Sequence, residues 1–287
     1  MRRTGAVVLR DDRPGCVSVP MNALTDPDAR LVIGHRGCAG LAPENTLEAF
    51  QQAIALGAHA VEFDVRLSAD GVAVVMHDPT LDRTTDRSGR VDQLTLAQLR
   101  EADAGARFTT DRGRTHPYRS RNIRIPTLDE ALALVTGIPL LIELKTPAAS
   151  AETLRLLRLH GAESRTVVDS MHAPALAPFR NTPVSRGAGA DGVRALLTAT
   201  LLGRRSDTLP FDALCVPPWY VAIPLPLVRF ARATRRARRA MHVWTVNDPD
   251  YAKRLWSSGV NGIITDDPGT MLACLHGARL SLSATSD

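Results

Sequence analysis

The chain has 287 residues, 44% of them hydrophobic and 23% charged, with a formal charge of +5. That composition fits a globular protein with a large core and excludes a disordered or fibrous chain. With 4% aromatics and no basic tract interleaved with stacking residues, the positive balance points to small phosphate compounds or lipid headgroups before nucleic acid.

Four cysteines (Cys16, Cys38, Cys215 and Cys274) stand far apart without a CxxC pair. That spacing argues against a disulfide framework or a zinc site and for a reducing compartment. AVVL near the start is too short for a signal-peptide core and no run is long enough to span a membrane, so a cytoplasmic protein is expected.

Residues 1–28 contain the turn-forming DDRPG and TDPD and read as an N-terminal extension, poorly ordered or accessory. A single catalytic domain is expected over 29–279, with a tail at 280–287. The first apolar run, Leu31–Gly34, leads into His35 and Arg36. A helical pattern follows with Leu47, Phe50 and Ile54 on one face, an Asn45–Glu48 capping box and Gly57 as the stop. In AVEFDV, Glu62 and Asp64 lie two apart, so a strand puts both carboxylates on one face and Val61, Phe63 and Val65 on the other. VAVVMH, 72–77, reads as a short extra strand before His77 and Asp78.

Thr127 and Glu130 form a second capping box, and Glu143 and Lys145 in PLLIELK repeat the two-residue spacing. TVVDS, a weak TPVSR, ALCVP, MHVWTV and NGIITD supply further strands. Trp244 and Asn247 close the seventh barrel strand and Asp266 the eighth, while Asp248 and Pro249 open a helix that ends at Gly259. With VAVVMH set aside as an insertion after strand 2, eight βα units remain. That is the count of a TIM (β/α)8 barrel, an α/β fold whose rival is an open doubly wound sheet.

Ionisable residues interrupt these strands at their C-terminal ends, where barrel active sites are built. Glu62, Asp64 and Glu143 would form an all-oxygen pocket suited to Mg²⁺ or Ca²⁺ rather than zinc. Singly, each could be a salt-bridged rim residue; their convergence makes ligation the better reading. His35 and His77 could supply a base and an acid, and Arg36 and Lys145 could hold an anion, a set that describes phosphodiester cleavage. His59, His116, His160, His242 and His276 read as surface or packing residues.

Two other motifs call for a reading. GAGADG, 187–192, satisfies G-x-G-x-x-G, but its preceding strand is poor and it lies deep in the chain, so a loop after the fifth strand accounts for it better than a nucleotide site. Residues 229–239 hold six arginines, with Arg229, Arg232, Arg236 and Arg239 close to one helical face, and follow the apolar VAIPLPLV. An outer barrel helix is the plain reading. Contact of residues 221–239 with an anionic membrane is the functional one.

GHRG…APENTLEAF, VEFDVRLSADGVAVVMHDPTLDRTT, LTLAQLREADAG, IPTLDEAL, LLIELK and VWTVND…GVNGIITDDP occur in that order. In this set the chain resembles the glycerophosphodiester phosphodiesterase family, metal-dependent enzymes on a TIM barrel, over about residues 31–275. The resemblance implies hydrolysis of glycerophosphodiesters to sn-glycerol 3-phosphate and an alcohol. His35 and His77 would be the acid–base pair, and Glu62, Asp64 and Glu143 would hold one divalent cation. Arg36 and Lys145 would contact phosphate, and Trp244 would line the substrate pocket. Met171 stands where a Phe is usual, His172 reads as a rim residue, and nothing requires the Cys38 thiol. Alternatives are lysophospholipase D-type cleavage on the same barrel, a catalytically silent phosphate-ester binding protein and, more remotely, a retaining glycosidase, which would not need the two histidines and two cations.

Overall fold

The computed structural model describes residues 22–204, 207–220 and 222–277. Residues 1–21, most of the expected extension, and the 280–287 tail lie outside the described residues, as does Val221 at the start of the arginine-rich stretch.

Eight short parallel strands form the barrel: β1 (Leu31–Gly34), β2 (Ala60–Leu67), β4 (Leu140–Leu144), β5 (Thr166–Asp169), β6 (Ser185–Arg186), β7 (Ala213–Val216), β10 (Ala240–Val243) and β11 (Gly262–Thr265). Between them come β3 (Ala73–Val75), antiparallel to β2, and a hairpin of β8 (Trp219–Tyr220) and β9 (Ile223–Pro224). The barrel order is β6-β5-β4-β2-β1-β11-β10-β7. A Gly187–Ala213 bridge, together with Asp212 N–H donating to the Arg186 carbonyl and Arg186 N–H to Asp212 Oδ2, brings the two ends together. The weak TPVSR is thus the fifth barrel strand, and the GAGADG glycines follow it as a loop that opens a helix. The hairpin was not foreseen, because VAIPLPLV reads by composition as one apolar run.

Strands β1, β10 and β11 are buried throughout, as expected when helices cover one face and the barrel interior fills the other. The covering helices are α1 (Leu47–Ala55), α3 (Leu128–Leu134), α4 (Ser150–Leu159), α5 (Gly189–Leu201), α6 (Leu227–Arg236), α7 (Pro249–Ser257) and α8 (Pro268–Leu275), with a short α2 (Leu96–Leu99) in the insertion. The Thr127–Glu130 box and the Asp248 cap form as expected. The Asn45 box does not. Thr46 caps α1 by accepting from Ala49 N–H, because Asn45 turns inward to Asp64.

The period of two organises the interior. On strand after strand the inward positions are apolar at the floor and ionisable at the C-terminal mouth: Ala60 then Glu62 and Asp64, Leu141 then Glu143, Val167 then Asp169. Ile33 precedes His35 and Ile264 precedes Asp266 by the same step.

The floor corrects one expectation. Residues 22–28 belong to the barrel rather than to an extension: Ala23 and Leu24 are fully buried against Leu31, Ile33 and Leu141. Asn261 Nδ2 donates to the Pro27 and Ala29 carbonyls, and His242 Nε2 donates to the Leu24 carbonyl at 2.8 Å. A Cβ on Gly262 would lie 2.2 Å from His242 Nδ1, so the glycine makes room for the ring. The arginine-rich stretch is also revised. Helix α6 ends at Arg236, and beyond it Arg238 pairs with Asp28 and Arg239 with Asp212, so the four-arginine face is not continuous. Among the described residues, no helix is long and apolar enough to cross a membrane.

Burial lowers the His242 pKa to about 4. The folded ring therefore resists a proton that the unfolded ring accepts near 6.5. Stability should fall as pH drops from 6.5 toward 4, by up to about 3 kcal/mol. Urea unfolding across that range should show the slope in the parent and lose much of it in His242→Gln.

Candidate active site

The inward ends of β1, β2 and β4 converge at the mouth. Oxygens of Glu62, Asp64 and Glu143 lie within 4.8 Å of one another, and β2–β4 pairing sets Asp64 directly opposite Glu143. Asp64 is the anchor. At 1% exposure it accepts from Asn45 Nδ2 at 2.9 Å and sits 2.9 Å from Lys145 Nζ and 3.4 Å from Arg36 Nε. Lys145 Nζ also reaches Glu143 at 2.8 Å.

Burial pushes the Asp64 carboxyl up, but the Lys145 and Arg36 charges outweigh it and hold its pKa below the usual range. Glu62 receives less compensation. Burial and the neighbouring Asp64 charge push it up to about 7, although it accepts from Arg36 N–H at 2.9 Å. A hard cation among these oxygens would remove that penalty, and an all-oxygen donor set suits one. The trio therefore fits a divalent ion.

The first loop is shaped to deliver these contacts. Arg36 and Asn45 both adopt left-handed backbone, with φ of 49° and 58°. Gly37, at φ 88°, packs where a Cβ would come within 2.7 Å of the α1 backbone. Arg36 Nη1 bonds Glu44 at 2.6 Å, while its buried Nε has no hydrogen-bond partner.

Each histidine is held at Nδ1 by a carboxylate. His35 donates to Asp266 at 2.6 Å and His77 to Asp78 at 2.5 Å, leaving each Nε2 as the available ring nitrogen. Burial works against a charged His35, but the Asp266 bond and the Glu62 charge outweigh it and raise its pKa. Burial also lowers the His77 pKa, helped by the Lys145 and Arg36 charges.

Arg83 straps the two halves together. It donates to both Asp78 oxygens at 2.6 and 3.0 Å and to both Glu44 oxygens at 2.7 Å. Arg66 fixes the same loop by donating twice to the His77 carbonyl.

All eight residues singled out from the sequence, Trp244 included, line one cleft of about 460 Å³. Sequence reasoning noted Asp78 and Asp266 without giving them a role, and it missed Glu44, Arg83 and Asp169. Glu44 and Arg83 lie inside APENT and HDPTLDRTT, but nothing in the spacing says that residues 39 positions apart share a bond. Cys38 is packed in the core with its thiol pushed up to about 12 by burial, so it takes no part. His172 is exposed and does not line the cleft.

Asp169 sits half-buried beside Glu143 and accepts from the Ser170 and Gly189 amides. Burial raises its pKa to about 7, with the Glu143 charge adding to the effect. The folded protein therefore keeps a proton that the unfolded chain releases near 3.8, and this contribution to stability fades as pH rises from 4 to 7. Asp169→Asn should accordingly gain on the parent between pH 5 and pH 8. Thermal unfolding of both proteins with chelator present should show their Tm difference moving in the variant's favour.

The fold and this cleft define a barrel hydrolase acting on phosphoric diesters. The family model described as "Glycerophosphoryl diester phosphodiesterase family" matches residues 35–181 and 194–270. The glycerophosphodiester phosphodiesterase of Caldanaerobacter subterraneus subsp. tengcongensis is 32% identical over 249 residues, 84% of this chain and 96% of that protein. The solved glycerophosphoryl diester phosphodiesterase domain of a Mycobacterium tuberculosis protein superposes with a TM-score of 0.74 at 25% identity, covering 87% of this chain and all of that one. A phosphodiesterase from Oleispira antarctica, solved in complex with the product sn-glycerol-3-phosphate, gives 0.70 at 27% identity over 86% of this chain and 97% of that one. This chain belongs to the glycerophosphoryl diester phosphodiesterase family.

Proposed function

We propose that the chain hydrolyses glycerophosphodiesters to sn-glycerol 3-phosphate and an alcohol, with His35 and His77 as the acid–base pair. The observation that carries this reading is two imidazoles, each fixed at Nδ1 by its own carboxylate, in one cleft with the carboxylate trio. The product in the Oleispira antarctica complex supports the same chemistry.

Glu62, Asp64 and Glu143 would hold one divalent cation, Mg²⁺ or Ca²⁺, which when bound neutralises charge on the phosphate oxygens. Arg36, whose guanidinium is held by Asp64 and Glu44, would set its positive charge beside the non-bridging oxygens. Lys145 bonds Asp64 and Glu143 and has a third N–H for the phosphate. Trp244, just after β10, lines the same cleft and would form part of the substrate wall.

Because each Nδ1–H is committed to a carboxylate, a neutral ring presents a basic Nε2 and a protonated ring an acidic one. One histidine takes the proton of the attacking oxygen as it bonds to phosphorus. That oxygen is water's, or the adjacent glycerol hydroxyl's, in which case a cyclic phosphate forms and water then opens it. As the P–O ester bond breaks, the other gives a proton to the leaving alkoxide. Lysophospholipid cleavage, the other reading of the sequence, breaks the same headgroup ester and differs in that the glycerol arm, which stays with the phosphate, carries an acyl chain. Neither version needs membrane contact through residues 221–239, of which Leu225 lines the cleft wall.

Purified protein should release alcohol from glycerophosphoglycerol with Mg²⁺ or Ca²⁺ and stop with chelator. His35→Ala and His77→Ala should each cut kcat by about two to four orders of magnitude while calorimetric metal affinity holds. Metal affinity lost together with activity in those variants would refute their assignment. Asp64→Asn should lose metal affinity and turnover together. Ligand binding without turnover under every metal condition would leave a silent phosphate-ester binding protein instead.

A further inference from the structure

The cleft is divided by the barrel's own strand order. Most of its charged lining comes from the adjoining strands β1, β2 and β4 and the loop after β3, with Asp169 of β5 and Arg194 of α5 as the exceptions. Four strands away on an eight-strand barrel, β6 faces β1 and β7 faces β2 across the mouth. The lining there is apolar: Val193 and Leu197 of α5, Val216 and Pro217 at the end of β7, and Tyr220 and Leu225 of the hairpin segment.

Val193 and Leu197 stand one turn apart on the same face of α5, half buried against the core and half open to the cleft. On this side the apolar surface does not stop at the wall. Tyr220 is 57% exposed and pairs across the hairpin with Ile223, 66% exposed, so large apolar side chains continue from the wall onto the rim. Charge is scarce here. Asp169 turns one oxygen onto two backbone amides, and Arg194 is paired with Asp191 at the rim.

A phosphodiester with its phosphate and glycerol hydroxyls among the charged residues must send its other arm toward this half. We propose that the half is a subsite for hydrocarbon, so that the favoured substrates are glycerophosphodiesters whose leaving alcohol carries an alkyl or acyl chain. The proposal rests on the phosphodiesterase reading above and adds no chemical step to it. A cationic arm would gain little there, because the lining of this half offers it mostly apolar side chains, with Asp169 as its one carboxylate and that group raised to about 7 by burial.

The test is a homologous series of glycerophospho-n-alkanols, from ethanol to octanol, assayed below their aggregation concentrations with metal present. The expected result is kcat/KM rising with chain length, by up to about fourfold per buried methylene, until the cleft is filled. In Leu197→Asp and Val193→Asp the octyl-to-ethyl ratio of kcat/KM should fall at least tenfold, and Leu197→Met, a folding control of similar volume, should keep it. A flat series with every member hydrolysed would overturn the subsite and leave the phosphodiesterase standing. Preference for a choline arm over a butyl arm would also overturn it. Failure to hydrolyse any member would remove the phosphodiesterase reading and the subsite with it.

Discussion

Three carboxylates whose oxygens lie within 4.8 Å of one another, one of them almost wholly buried, cannot all stay ionised without nearby positive charge. Much of the mouth can be read as an answer to that constraint. Lys145 reaches two of the three, Arg36 sits beside Asp64, and Asn45 abandons its helix cap to donate to the same carboxylate. The compensation is incomplete, and Glu62 shows the remainder as a carboxyl raised to about 7. That remainder is what gives the trio its fit to a hard cation.

The same electrostatics reaches the histidines. Asp266 and Asp78 fix the two rings, and Asp78 is itself fixed by Arg83, which also grips the Glu44 that holds Arg36. The His35 loop and the His77 loop, separated by a strand pair and a helix in sequence, thereby become one rigid unit. The β3 insertion follows from this arrangement. It folds the chain back along β2, so that the loop carrying His77 arrives beside the carboxylates rather than on the next barrel strand.

Opposite this charged half the barrel offers an apolar one, and the boundary follows the strand order rather than the sequence. Residues such as Val193, Leu197 and Tyr220, drawn from α5 and the β8–β9 hairpin, meet across the mouth from the catalytic set only because the sheet closes. A cleft with two chemically unlike walls can hold a substrate with two unlike arms and fix which of them leaves.

Much of this protein was legible in the chain itself. The alternation of apolar runs and helical patterns counts out eight βα units. The two-residue spacing of Glu62 with Asp64, and of Glu143 with Lys145, sets their faces, because strand periodicity is local and owes nothing to the rest of the fold. The ordered motifs fix the family. Tertiary structure alone decided which residue caps α1, that Leu24 plugs the floor under His242, that Arg239 leaves its helix for Asp212, and that Arg83 joins Glu44 to Asp78. Each of these depends on how strands, helices and loops pack together in three dimensions, which brings side chains into contact across as many as 218 residues of sequence, and no local pattern in the sequence carries that information.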